Sequence, residues 1–154
     1  MKAVVWLERA AVAGMLSEAR RAHPLETGGI LVGYRGAKEA AVVTQVVGPG
    51  PRAIHGPDVF EPDYGFQERI LERIHFQSEG VERYLGDWHT HPDGRLELSS
   101  KDLSVLRQIS DFAEAGIQHP LMLIIAIGAP TTATMWRYTP SPAPVVDACE
   151  IILE

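Results

Sequence analysis

The sequence predicts an α/β domain in which a mixed β-sheet is flanked by helices. Three observations lead there. β-prone stretches alternate with stretches whose apolar residues recur every three or four positions, and Leu121 to Ile127 is apolar without interruption. A length of 154 residues with 45% hydrophobic content suffices for one core but not comfortably for two. One domain over residues 1–154 is therefore expected.

Ala3 to Leu7 reads as a short strand, after which Leu7, Ala11, Met15 and Ala19 stand at helical spacing up to the break at His23-Pro24. Gly28 to Gly33 and Glu39 to Val47 are β-rich, and Arg35-Gly36-Ala37-Lys38 between them has the length and glycine of a hairpin turn. From Gly48 to Asp63 the chain carries Pro49, Pro51, Pro57 and Pro62 with Gly50 and Gly56, which predicts an irregular loop of the functional or mobile kind. Phe66, Ile70 and Ile74 repeat every four residues and predict a second helix ending near Gly80.

Tyr84 to His91 reads as a strand running out into a turn at Pro92-Asp93-Gly94. A third helix is expected to start near Ser99, to carry Leu103, Leu106 and Phe112 on one side, and to stop around Gly116. Leu121 to Ile127 fits a strand buried on both faces, and so a central one. Ala133 to Tyr138 and Val146 to Leu153 are β-prone, the first joined to the central strand through Gly128-Ala129-Pro130.

Composition narrows the function classes. Net charge is −6 and no run of Lys or Arg could track a phosphate backbone, so nucleic acid is not an expected partner. Cys149 is the only cysteine, which excludes an intramolecular disulfide and a Cys-based zinc site and fits a reducing cytoplasm. The opening MKAVVWLE lacks the apolar core of a signal peptide, and the longest apolar run is too short to span a bilayer. Neither secretion nor a membrane is expected.

The chemistry concentrates in YLGDWHTHPDGRLELSSKD, residues 84–102. His89 and His91 are two apart near a strand end, so both side chains leave the same face and can share one ion. Ser99 and Asp102 are three apart at a helix start, again on one face. Two imidazoles and one carboxylate give zinc three protein ligands and leave a fourth position open, as catalytic sites do. Peptide cleavage also needs a base to take a proton from water and return it to the leaving amine. Glu26, in LETGGILVG, is the best candidate, because Gly28 and Gly29 permit close backbone approach.

The string His89-Thr90-His91, seven residues, Ser99, two residues, Asp102 resembles the motif of the JAMM, or MPN-domain, metalloproteases at every specified position. That resemblance implies zinc held by His89, His91 and Asp102, water activated by Glu26, and a tetrahedral intermediate stabilised by Ser99. It runs from about Glu8 to Tyr138 and implies a cytidine-deaminase-like fold. ETGGILVGYR, GPGP, FEPD and YLGDWHTHP look most like small bacterial JAMM peptidases found beside E1-like and E2-like proteins and ubiquitin-like modifiers in antiviral operons. The substrate so implied is a ubiquitin-like tail bound as an added strand along the catalytic groove.

Plainer readings stand beside these. Ser99 and Asp102 also form the pattern of a helix capping box, with Ser100 as the alternative should the register slip by one. Two histidines at this spacing can decorate an edge strand, and Glu26 can be a solvated acid, with Glu61 and Asp63 the next acids to test. His23, His75 and His119 read as surface residues, whereas His55 in the proline-rich loop is a possible groove residue. Trp88 should pack behind the site, Asp87 could support a ligand from behind it, and Cys149 should be a small buried apolar residue.

The leading expectation is a zinc isopeptidase or peptidase that releases or trims a ubiquitin-like protein. The alternatives are a JAMM peptidase acting on a sulfur-carrier protein, a non-catalytic MPN scaffold, and a DNA-repair-associated relative, the last disfavoured by the missing basic surface. A nucleoside deaminase is set aside because the paired Cys ligands are absent.

Overall fold

The structure, a computed structural model, describes residues 2–37, 39–112, 117 and 119–154. Among the described residues the elements run β1 (Val4–Leu7), α1 (Arg9–Ala22), β2 (Gly28–Arg35), β3 (Ala41–Val47), β4 (Ile54–His55), β5 (Phe60–Glu61), α2 (Tyr64–Gln77), β6 (Arg83–His91), α3 (Ser100–Asp111), β7 (Leu121–Ala126), β8 (Thr132–Thr139), β9 (Val145–Ala148) and β10 (Glu150–Leu153). Eight strands form one sheet in the order β10-β1-β3-β2-β6-β7-β8-β9, and β4 and β5 form a separate two-stranded hairpin. The sheet is mixed: β1 is parallel to both β10 and β3, β6 is parallel to β7, and the other pairs are antiparallel.

Side-chain alternation divides the core between the two sheet faces. Leu121, Leu123 and Ile125 join Leu31, Leu85, Trp88 and Met135 in a cluster with Ala11 and Met15 of α1. Met122 and Ile124 point the other way and pack with Leu106 of α3. Ile30 and Val32 pack with Ile74 of α2. Helix α1 thus covers one face while α2 and α3 cover the other, and every residue of β7 is buried, as an uninterrupted apolar run requires.

The expected elements are present with shifted bounds. Leu7 belongs to β1 rather than to the first helix, and α3 ends at Asp111 with Phe112 as its C-cap. The expected stop at Gly116 lies outside the described residues, as does Lys38 of the β2–β3 turn. Gly48 to Asp63 is not wholly irregular, since it contains the β4–β5 hairpin. Val146 to Leu153 is two strands on opposite sheet edges: Cys149 N–H donates to Met135 O (2.8 Å) beside β8, and Glu150 N–H donates to Ala3 O (2.9 Å) beside β1. Periodicity reads local burial and is blind to which edge a strand joins. Among the described residues no helix is long and apolar enough to cross a membrane.

Candidate metal centre

Strand β6 delivers His89 and His91 at its C-terminal end, with Trp88 and Thr90 turned to the opposite face. The first turn of α3 comes over the imidazoles and presents Asp102. Ser99 and Asp102 form a reciprocal capping box: Ser99 Oγ accepts from Asp102 N–H (3.0 Å), and Asp102 Oδ2 accepts from Ser99 N–H (2.8 Å). Capping and convergence on the histidines are therefore not alternatives, because one carboxylate does both.

The donor atoms crowd together. The two Nε2 atoms are 3.2 Å apart, His89 Nε2 lies 3.0 Å from Asp102 Oδ1, and His91 Nε2 lies 3.3 Å from Asp102 Oδ2. A tetrahedral ion with arms of about 2.0–2.1 Å needs ligand atoms about 3.3–3.4 Å apart, so the donor set fits one. His91 Nδ1–H donates to Arg95 O (2.9 Å), which fixes the ring and leaves the Nε2 lone pair facing the cluster. His91 and Asp102 are buried and His89 is half-buried.

Burial by itself raises the Asp102 carboxyl, but its hydrogen bonds with His89 and His91 outweigh that and hold it well below the ordinary carboxylate value. The hydrogen bond to Asp102 raises His91, against burial. Together these groups form a dense, preformed cluster of negative and proton-binding atoms.

Glu26 lies just before β2, outside any helix or strand. The antiparallel register ends with Gly28 opposite His89, the bond from Thr90 N–H to Thr27 O (2.9 Å) carries the pairing one residue further, and Glu26 comes next, its carboxyl within electrostatic reach of His89, His91 and Asp102. The glycines permit this closeness: a Cβ on Gly28 would stand 2.3 Å from Trp88 O, and one on Gly29 1.8 Å from Val47 O. Burial raises the half-buried Glu26 carboxyl, and the positive character of His89 and His91 opposes the rise. Of the other acids, Asp63 is committed to capping α2, accepting from Phe66 N–H (3.1 Å) and Arg52 N–H (3.1 Å), and Glu61 is exposed on β5.

Other expected residues take definite places. Trp88 is buried behind the site, and its Nε1–H points to Val47 O (3.4 Å). Asp87 accepts from Tyr84 O–H (2.6 Å) rather than from a ligand imidazole. Cys149 is buried. Ser100 is exposed at the start of α3 while Ser99 makes the cap, so the register does not slip. His23 and His75 are exposed and His119 is half-buried.

Two contacts escaped sequence reasoning. Thr27 N–H donates to Thr90 Oγ1 (3.0 Å) and Thr90 N–H donates to Thr27 O (2.9 Å), with both residues buried. A threonine between two ligands, forced by alternation into the core, needs such a partner. His55 Nδ1 lies 2.9 Å from Glu26 O, a contact no local pattern announces.

Residues 8–139 match the family described as prokaryotic homologs of the JAB domain. A probable metalloprotease, y4qB, of Sinorhizobium fredii (strain NBRC 101917 / NGR234) is 36% identical over 129 residues, 83% of this chain and 79% of that protein. A CD-NTase/cGAS isopeptidase of Enterobacter hormaechei subsp. hoffmannii (strain UCI 50) is 27% identical over 112 residues, 72% of this chain and 61% of that longer protein. The solution structure of protein DSY2949 from Desulfitobacterium hafniense superposes with a TM-score of 0.74 at 23% identity, over 97% of this chain and 92% of that one, which shows a shared fold.

Proposed function

The chain belongs to the prokaryotic homologs of the JAB domain and is a hydrolase of the JAMM type, and from that premise we propose that it is a zinc isopeptidase cleaving the C-terminal tail of a ubiquitin-like protein from a conjugate or precursor. The observation that carries the proposal is the cluster of His89, His91 and Asp102, whose ligand atoms approach one another to 3.0–3.3 Å, with the Glu26 carboxyl near enough to feel the charge of all three. In this reading His89, His91 and Asp102 hold the zinc. When bound, the metal supplies a Lewis acid that polarises a carbonyl and makes water more acidic.

The chain's own groups supply the rest. Glu26 takes the proton from the attacking water and gives it to the departing amine, a role suited to a carboxyl that burial has made more basic. Ser99 Oγ uses a lone pair on Asp102 N–H, so its own O–H stays available to donate to an oxyanion. In this reading an extended tail binds beside the metal centre as an added strand. One domain carries the whole reaction. The relative named as an isopeptidase supports an isopeptide substrate, and E1-like and E2-like proteins are the expected sources of such conjugates. The single cysteine suits work in a reducing cytoplasm.

The test is incubation of the zinc-loaded protein with fusions of ubiquitin-like proteins, with and without chelator, read by intact mass. Release of the fused partner after the modifier's last residue, abolished by chelator, is the expected result. Stoichiometric zinc with no cleavage of any such fusion, including those of modifiers encoded beside it, overturns the reading.

A further inference from the structure

Glu26 lies outside every helix and strand, and unlike Ser99 it caps none. Its peptide groups are nevertheless tied on both sides by two consecutive residues of a distant segment. Glu26 N–H donates to Gly56 O (2.7 Å), and Glu26 O lies 2.9 Å from His55 Nδ1. A carbonyl oxygen can only accept, so Nδ1 must carry the ring proton and the tautomer is set. The His55 ring in turn packs on Phe60, its cross-strand partner in the β4–β5 hairpin, with centroids 5.6 Å apart.

The segment that presents His55 is itself fastened. Asp63 N–H donates to Pro49 O (2.9 Å) and the buried Gln67 donates through Nε2 to Gly48 O (3.1 Å), closing the base of the loop. Gly56 N–H donates to Val59 O (2.8 Å), closing its tip. On the other side of Glu26, Thr27 is joined to Thr90 between the histidines. The proline-rich stretch thus acts as a brace with fixed feet, and its free end grips residue 26.

We propose that His55 is a positioning residue for the general base: the segment from Gly48 to Asp63 holds the Glu26 backbone, and through it the carboxylate, at the working distance from His89, His91 and Asp102. The proposal rests on the reading of Glu26 as the base. A base misplaced by about an ångström loses on the order of a hundredfold in rate, so a backbone tether at an otherwise irregular position matters to turnover.

The test uses the full chain and two substitutions. His55→Ala removes the donor, whereas His55→Asn places an amide N–H close to where Nδ1 stood. In His55→Ala, hydrogen exchange at the Glu26 amide should quicken at least tenfold with and without zinc. Its kcat should fall about tenfold to a hundredfold while KM stays within twofold and zinc content is unchanged. His55→Asn should restore most of both, and 15N spectra of the unsubstituted protein should show the Nδ1-protonated tautomer.

Unchanged Glu26 exchange in His55→Ala overturns the proposal, as does quickened exchange spread evenly over all core amides. If Glu26 exchange quickens locally but Glu26→Gln keeps full turnover, the tether stands and it is the assignment of the base that falls.

Discussion

Thr27 and Thr90 clasp each other across β2 and β6 at the level of the active centre: Thr27 N–H donates to Thr90 Oγ1 at 3.0 Å while Thr90 N–H donates to Thr27 O at 2.9 Å. One threonine follows the proposed base and the other separates the two imidazoles, so this contact fixes the spacing between them. Thr27 O–H continues the link to Glu18 Oε2 (3.3 Å) on α1. Thr90→Val keeps the shape but strands the buried Thr27 N–H. Urea unfolding should show a loss of about 1–3 kcal/mol, and turnover should fall further than stability alone accounts for at temperatures where the variant stays folded.

Glu26→Gln should keep stoichiometric zinc, measured by elemental analysis, and lose about a hundredfold to ten-thousandfold in kcat. Loss of zinc on this substitution would show that Glu26 binds the metal instead of moving the proton.

Asp102 has two jobs, and two substitutions separate them. Asp102→Asn keeps an oxygen that can accept from Ser99 N–H, so the helix start should survive while zinc becomes substoichiometric after dialysis. Asp102→Ala should lose the zinc and also about 0.5–1.5 kcal/mol of metal-free stability through the lost bond from Ser99 N–H, while Ser99 Oγ keeps its backbone partner at residue 102. Equal unfolding midpoints for the two metal-free variants would contradict this division.

The pH dependence should reverse with the metal. In the metal-free protein His91 is raised above its ordinary 6.5 by the hydrogen bond to Asp102, so its contribution to stability is complete below 6.5 and disappears as pH rises through the raised value. Asp102 is lowered from its ordinary 3.8, so its contribution is present above 3.8 and disappears as pH falls through the lowered value. Metal-free stability should therefore be greatest in mild acid. Zinc competes with the proton on His91, so its affinity should climb as pH rises through that raised value. Urea midpoints against pH, with and without zinc, should slope in opposite directions between pH 6 and 8.

Most of the centre was legible because its parts are local. His89 and His91 share a face by strand alternation, and Ser99 and Asp102 share one by helical spacing, so four residues could be placed within single elements. Glu26 was named from the glycines that follow it together with the family resemblance, not from a pattern within one element. What could not be read depends on register between segments far apart in the chain. Thr27 meets Thr90 because β2 and β6 pair with Gly28 opposite His89, and His55 reaches Glu26 because a hairpin folds back inside a stretch that looks structureless. The split at Cys149 was hidden for the same reason: β-propensity records a preference for extended backbone and not the neighbour that satisfies it.

Cys149 gives the sheet a mechanical character that its strand order does not suggest. In an open sheet each outermost strand peels away alone, starting from its own end. Here the two outermost strands are successive lengths of one cord, knotted at a single residue to Met135 on one flank and, one residue later, to Ala3 on the other. The sheet behaves as a hoop fastened at its rim. Tugging β9 off β8 loads the attachment of β10 to β1, so neither flank frays without straining the other, and the histidine-bearing strand well inside the hoop is shielded from slippage on both sides.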